Sequence, residues 1–162
     1  MGLGLGAWGL KNALEFVTRA RSQGKKIVFT NGVFDILHPG HIRYLKEARS
    51  LGDVLIVGVN SDRSARAQGK APDRPVNPES ERCEVLAALA CVDAVVVFDE
   101  DTPHEIIQAI QPDILVKGAD WGENAIVGRD IVEARGGKVV RIKLADGYST
   151  TALIEKARSH GR

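Results

Sequence analysis

Five short runs along the chain are apolar at consecutive positions and rich in β-branched residues: "KIVFT", "DVLIVGVN", "VDAVVVF", "DILVKG" and "KVVRIKL". Continuous apolarity, rather than alternation, is the pattern of strands buried on both faces. Between the runs the apolar positions recur at helical spacing. Ala13, Leu14, Val17 and Ala20 predict a helix over Lys11–Arg21 that Gly24 ends. A second helix is predicted over Pro39–Ser50, with Pro39 in its first turn and Gly52 at its exit. A third covers about Glu79–Ala90. "TPHEIIQAI" begins with Thr102 as a cap and Pro103 at the first helical position. "AIVGRDIVEARGG" reads as a helix closed by Gly136 and Gly137, and "STTALIEKARS" as a final helix with a Ser or Thr cap.

One segment breaks the rhythm. Ser61 to Pro78 holds three prolines, one glycine and four basic residues with hardly any large apolar side chain, which predicts a mobile loop. The rest predicts an α/β fold: a doubly wound, five-stranded parallel sheet with helices on both faces. An N-terminal segment and helix over 1–24 precede a domain over 25–160, in a single-domain chain. Ligands of such sheets bind beyond the carboxyl ends of the strands, at the switch point. The unusual residues fall there in sequence: Asn31 to His41, the basic loop, Gly118 to Trp121, and Asp146 to Thr151.

Composition narrows the function classes. At 162 residues, 44% apolar and 27% charged, the chain suits one soluble core. A net charge of +1 gives no push toward nucleic acid or a membrane surface. No apolar run approaches the ~20 residues of a spanning helix, and the N-terminus lacks the basic start of a signal peptide, so the expected location is cytoplasmic. Cys83 and Cys91 match no zinc spacing and read as small buried hydrophobes.

The chemistry concentrates in the first loop. Gly32 would let the backbone turn after the strand and expose amides near Val33 and Phe34. Pro39 and Gly40 open a helix whose free N–H groups and dipole face the same crevice. His38 and His41 lie three residues apart and share a helical face. Together these make a cradle for phosphate, whose charge would favour protonated imidazoles. The alternatives are one histidine capping the helix while the other is buried and satisfied, or a metal pair, for which His104 and His160 offer no company. Lys70 either folds over a triphosphate or is solvated. Gly118 allows close backbone approach, Asp120 could bind ribose hydroxyls, and Trp121 either stacks on a ring or packs in the core. "DGYSTT" offers Gly147 and three hydroxyls at a helix start, as a phosphate contact or a plain cap.

"TNGVFDILHPGH" resembles the H-x-G-H nucleotidyltransferases, and "STT" before the last helix is similar to their second signature. Within that superfamily "RPVNPESER", "LAALACVDAVV", "DILVKGADW" and "DGYSTT" resemble the heptose 1-phosphate adenylyltransferases. The resemblance covers about Lys26 to Lys156. It implies a Rossmann-like fold and transfer of AMP from ATP to D-glycero-β-D-manno-heptose 1-phosphate, with release of pyrophosphate, in the making of surface polysaccharide. It implies His38, His41 and Lys70 as catalytic residues. It implies Asn31, Gly32, Val33, Phe34, Asp35, Asp120, Ser149 and Thr150 as nucleotide contacts, with magnesium accompanying ATP. A homodimer is compatible with it. An ionised phosphate acceptor, with its second pKa near ~6, needs no general base. The polyol-phosphate cytidylyltransferases carry arginines where this chain has Ala90 and Leu144. Their absence favours ATP and leaves a phosphate contact to be found elsewhere, with Arg141 and Lys143 as candidates. Two rival readings remain: a cytidylyltransferase acting on a polyol phosphate such as glycerol 3-phosphate, and a nucleotide sensor without chemistry.

Overall fold

The apolar runs become β1 (Ile27–Gly32), β2 (Val54–Asn60), β3 (Ala94–Phe98), β4 (Ile114–Gly118) and β5 (Lys138–Ile142), all parallel, in the order β3-β2-β1-β4-β5. This is a computed structural model, and it describes residues 9–69 and 71–161. The first eight residues of the expected N-terminal segment, and Lys70, lie outside the described residues.

Helices α1 (Leu10–Ser22), α2 (Pro39–Ser50), α3 (Asp62–Ala67), α4 (Glu79–Ala87), α5 (His104–Ile110), α6 (Arg129–Ala134) and α7 (Thr150–His160) connect and flank the strands. Successive strand residues point to opposite faces, so the sheet divides two cores. Ile27, Phe29, Ile56, Val96 and Leu115 pack with Ala13, Val17 and Ala20 of α1, Ile106 and Ile107 of α5, and Val132 of α6. Val28, Leu55, Val57, Val95, Ile114 and Val116 pack with Tyr44 and Leu45 of α2 and Cys83 and Leu86 of α4. The five-stranded doubly wound sheet anticipated from the sequence is thus the fold.

Three strands start the same way. Asp53, Asp93 and Asp113 each precede a strand, and each carboxylate accepts the backbone N–H of a residue at or next to the start of a neighbouring strand: Lys26, Leu55 and Ile27, at 2.7, 2.7 and 2.8 Å. Each aspartate's own N–H donates back, to Lys26, Leu55 and Ile27 carbonyls respectively. These pairs satisfy groups at the amino edge of the sheet and fix strand register. The strand order reverses between β1 and β4, and that switch point faces the carboxyl edge. The β1–β2 ladder continues to Gly32 opposite Val59, whereas the β1–β4 ladder runs only through Phe29 opposite Leu115. Beyond it Thr30 Oγ1 donates to the Val116 carbonyl at 3.0 Å. Tyr44 lies 2.8 Å from the same Thr30 hydroxyl, pinning α2 to the switch point.

Several boundaries differ from expectation. The segment after β2 contains α3, capped by Ser61 Oγ, which accepts from Ser64 N. Asn60 and Ser64 side chains bond each other at 3.0 Å, so polar pairing replaces the apolar signal that would have revealed this helix. Helix α4 stops at Ala87. Pro103, not Thr102, occupies the N-cap of α5. Helix α6 begins only at Arg129, after a 3₁₀ turn over Glu123–Ala125. Its N-cap Gly128 has φ +90°, and a Cβ there would fall 2.7 Å from Ile107 Cδ1, so both backbone and space require glycine.

Candidate active site

At the carboxyl edge the chain leaves β1 and turns at Phe34 rather than at Gly32. Gly32 is the last strand residue, while Phe34 holds φ +50°, a left-handed conformation unusual for an aromatic residue. The glycine instead makes room. A Cβ on Gly32 would lie 3.0 Å from Phe34 Cε2, so the ring folds back only over glycine. Phe34 then meets His41 edge-on at 5.6 Å between centroids.

His38 is the N-cap of α2 and His41 its third residue, and the two form a reciprocal capping box. His38 Nδ1 accepts from the His41 backbone N–H at 3.4 Å, and His41 Nδ1 accepts from the His38 backbone N–H at 3.3 Å. The rings stack at 3.8 Å. The capping weighed for one histidine is thus shared by both, and it leaves each Nε2 free of the cap. A ring accepting at Nδ1 is neutral and carries its proton on Nε2. Protonating His38 at Nδ1 would remove a cap acceptor, and burial lowers the His38 pKa. The pair can still present neutral Nε2–H donors.

Gly40 is needed for this stack, because a Cβ there would sit 2.9 Å from His38 Cε1 and Nδ1 and 3.1 Å from Tyr148 Cβ. Tyr148, from the β5–α7 loop, stacks on the other side of His38 at 5.9 Å, and the Arg43 guanidinium lies 5.4 Å from the Tyr148 ring. Ser149 caps α7, its Oγ accepting from Ala152 N at 2.9 Å. Thr150 Oγ1 donates to the Ile36 carbonyl at 3.0 Å. The Thr150 hydroxyl thus joins the start of α7 to the histidine loop.

Asp35 is tied to a strap over residues 71–78. Its carboxylate, in a residue only 4% exposed, accepts from Val76 N and Asn77 N at 2.9 Å and from Arg74 Nε at 3.3 Å. Asn77 Nδ2 returns a bond to the Asp35 carbonyl, and Arg74 Nη1 reaches Thr151 Oγ1. Arg82, 2% exposed, locks the strap from below. It donates to the carbonyls of Val33 at 2.7 Å, and of Asn60 and Asn77 at 2.9 Å, and pairs with Asp62 at 2.9 Å. The basic loop is therefore tied to the histidine loop. Arg63 and Arg66 are exposed, and Arg63 pairs with exposed Asp99 and Asp101.

On β4, Lys117 is 8% exposed, and its ammonium lies 5.3 Å from the Trp121 ring. Burial pushes its pKa down to about 8, against a smaller raising effect of Asp120. Burial also pushes Tyr44 up to about 12, with Asp120 adding to the rise. Asp120 thus stands close to both, at the carboxyl edge. Its carboxylate lies 2.5 Å from where a Gly118 Cβ would be, so it folds back over the glycine. Trp121 is exposed rather than in the core. Arg141 donates to the Trp121 carbonyl at 3.2 Å, and Lys143 is exposed. Among the described residues no group of three or more His, Cys, Asp or Glu could hold a metal ion. Cys83 is buried and Cys91 partly so; both are free, and burial raises both thiols, Cys83 to about 11.

Sequence reading passed over Lys117, Arg82 and Tyr148 as site elements. Lys117 had a signal, a charge inside an otherwise apolar strand. Arg82 had none, because helix charges are usually solvated.

The profile of the cytidylyltransferase-like family matches residues 29–156, which include both histidines and the start of α7. The chain belongs to that family. This cytidylyltransferase-like chain is 54% identical over 143 residues to the bifunctional protein HldE of Citrifermentans bemidjiense, covering 88% of this chain and 29% of the relative. It is 57% identical over 136 residues to the HldE of Syntrophotalea carbinolica, covering 84% and 28%. The chain thus spans less than a third of the length of these relatives. A solved lipopolysaccharide core biosynthesis protein of Thermoplasma volcanium superposes with a TM-score of 0.66 at 36% identity, covering 76% of this chain and 100% of that one. A pantoate-beta-alanine ligase of Francisella tularensis shares the fold, with a TM-score of 0.57 at 16% identity, over 96% and 77% of the two chains. No described helix is long and apolar enough to cross a membrane.

Proposed function

We propose that the chain is an adenylyltransferase that moves AMP from ATP to D-glycero-β-D-manno-heptose 1-phosphate. The observation that carries the reading is the stacked His38–His41 pair at the start of α2, whose Nδ1 atoms are held by backbone N–H groups. That arrangement fixes both tautomers, so each ring offers its Nε2–H as a donor to triphosphate oxygens. The α2 dipole adds partial positive charge at the same place.

The reaction is in-line. An oxygen of the sugar phosphate forms a bond to the α-phosphorus of ATP, and the bond to the bridging oxygen breaks, releasing pyrophosphate. The acceptor is already ionised, so no base is required. Catalysis rests on positioning and on stabilising charge in the crowded transition state. His38 and His41 serve there, Lys70 supports the α- and β-phosphates, and backbone amides near Val33 and Phe34 hold the α-phosphate. Asp120 binds the ribose. Ser149 and Thr150 act through the α7 start that carries Tyr148 onto His38. Magnesium would be held mainly by the phosphate oxygens and water and would neutralise triphosphate charge, since among the described residues no group of three or more His, Cys, Asp or Glu could hold it. The product is a precursor for lipopolysaccharide core or other surface polysaccharide, made in the cytoplasm.

Support for this acceptor comes from the resemblance of "DILVKGADW" and "DGYSTT" and from the HldE relatives. The test is pyrophosphate release with ATP or CTP against heptose 1-phosphate and glycerol 3-phosphate. Turnover with ATP and the heptose supports the reading. Preference for CTP with glycerol 3-phosphate assigns the cytidylyltransferase activity instead, and silence with every pair leaves a nucleotide sensor.

A further inference from the structure

Two polar groups stand at the switch point beside the nucleotide cradle, Lys117 and Asn31, the second of which the family resemblance also implies as a nucleotide contact. Phe29 and Leu115 are register partners on β1 and β4, and both belong to the core beneath α1, α5 and α6. Two residues further along each strand stand Asn31 and Lys117, on the same face by the period of the pleat. A Cβ on Gly58 would lie within 3.4 Å of both the Phe29 ring and Asn31 Cβ, which places Asn31 above Phe29 on that face. Thr30, Tyr44 and the histidine-bearing helix α2 lie on the opposite face.

Both groups lack what burial normally demands. Asn31 Oδ1 is buried and, among the described residues, has no hydrogen-bond partner. Lys117 is almost wholly buried, and among the described residues its ammonium has only the Trp121 ring and the field of Asp120, with no ion pair. Unpaired buried polar and charged groups are costly, and two of them on the same face of neighbouring strands, at the carboxyl edge where ligands bind, are groups a ligand would satisfy. A cation beside a carboxamide matches an anion that also carries hydroxyls: the ammonium takes a phosphate oxygen and Oδ1 accepts a hydroxyl proton.

From this the geometry points to Asn31 and Lys117 as the acceptor subsite, binding a sugar phosphate from the sheet face opposite the histidine pair. The inference rests on the proposed adenylyl transfer and supplies the phosphate contact that Ala90 and Leu144 cannot make. Two flanks of one crevice would then hold the two substrates, as in-line transfer requires.

The experiment compares wild type, Lys117→Met and Asn31→Ala, measuring KM for heptose 1-phosphate by pyrophosphate release and ATP affinity by calorimetry. Losing a charged hydrogen bond should raise the sugar-phosphate KM about tenfold to a hundredfold in Lys117→Met, and losing a neutral one about fivefold in Asn31→Ala. ATP affinity should stay within about twofold of wild type in Lys117→Met, and that variant should melt no lower than wild type, which a lysine with a structural role would not allow. Inorganic phosphate should compete with the sugar phosphate in wild type and lose that competition in Lys117→Met. A variant KM equal to wild type, or ATP affinity falling in step with sugar-phosphate affinity, overturns the subsite while leaving the adenylyltransferase reading intact. A wild type silent with this sugar phosphate and ATP overturns both.

Discussion

Replacing Lys117 by methionine should make the protein more stable at neutral pH, and the gain should vanish in alkali. The lysine's pKa falls from 10.5 to about 8 because folding strips water from its ammonium. At ~1.4 kcal/mol per tenfold change in proton affinity this is roughly 3 kcal/mol of destabilisation. Methionine has a similar reach and no charge. It forgoes the cation–π contact with Trp121, about 1 kcal/mol, so the net gain is about 2 kcal/mol near pH 7. For a chain of this size that raises Tm by roughly 4–8 °C.

The pH window follows from linkage. A lysine depressed in the folded state binds fewer protons there than in the unfolded chain. Its penalty is therefore complete below about pH 8 and is relieved as pH rises toward 10.5. Cys83 and Tyr44 also titrate in alkali but do so in both proteins, so the difference between them isolates Lys117. Urea unfolding of wild type and Lys117→Met at pH 7, 9 and 10.5 measures it. A variant less stable than wild type at pH 7, or an excess stability that does not shrink with pH, refutes the account of Lys117 as a desolvated, unpaired cation.

Other outcomes follow from the same geometry. His38→Asn keeps a good N-cap for α2 but removes the imidazole. It should leave urea stability within about 0.5 kcal/mol and slow pyrophosphate release ~10²–10³-fold, and equal losses of stability and rate would reduce His38 to a cap. Arg82→Ala strands three carbonyls and Asp62, so unfolding free energy should drop by about 3–5 kcal/mol; a drop under 1 kcal/mol in denaturant titration would contradict the lock it forms. Gly40→Ala drives a methyl against the His38 ring, so turnover should fall at least tenfold although alanine favours helix, and unchanged kinetics would show that the stack yields freely. Lys70→Ala should weaken ATP binding and slow turnover together, and calorimetry that finds ATP affinity intact returns Lys70 to the solvent.

Much of this was legible in the chain. Five apolar runs separated by amphipathic stretches dictate a parallel sheet covered on both sides, because strands buried on two faces need apolar residues at every position. The histidine pair, Asp120 and the "STT" helix start announced themselves because glycine, proline and hydroxyl residues disrupt regular structure at recognisable places. What remained hidden depends on contacts between segments far apart in sequence. Asp35 became the clasp of a strap some forty residues on, because buried carboxylates must find donors and the backbone of Val76 and Asn77 supplied them. Arg82 disappeared into the interior because three carbonyls and Asp62 converge on it. The placement of Asn31 and Lys117, more than eighty positions apart, on one face of neighbouring strands was decided only when β1 and β4 paired at the switch point. Local pattern specifies which face each residue takes on its own strand, but which strands become neighbours is settled by the packing of the whole sheet.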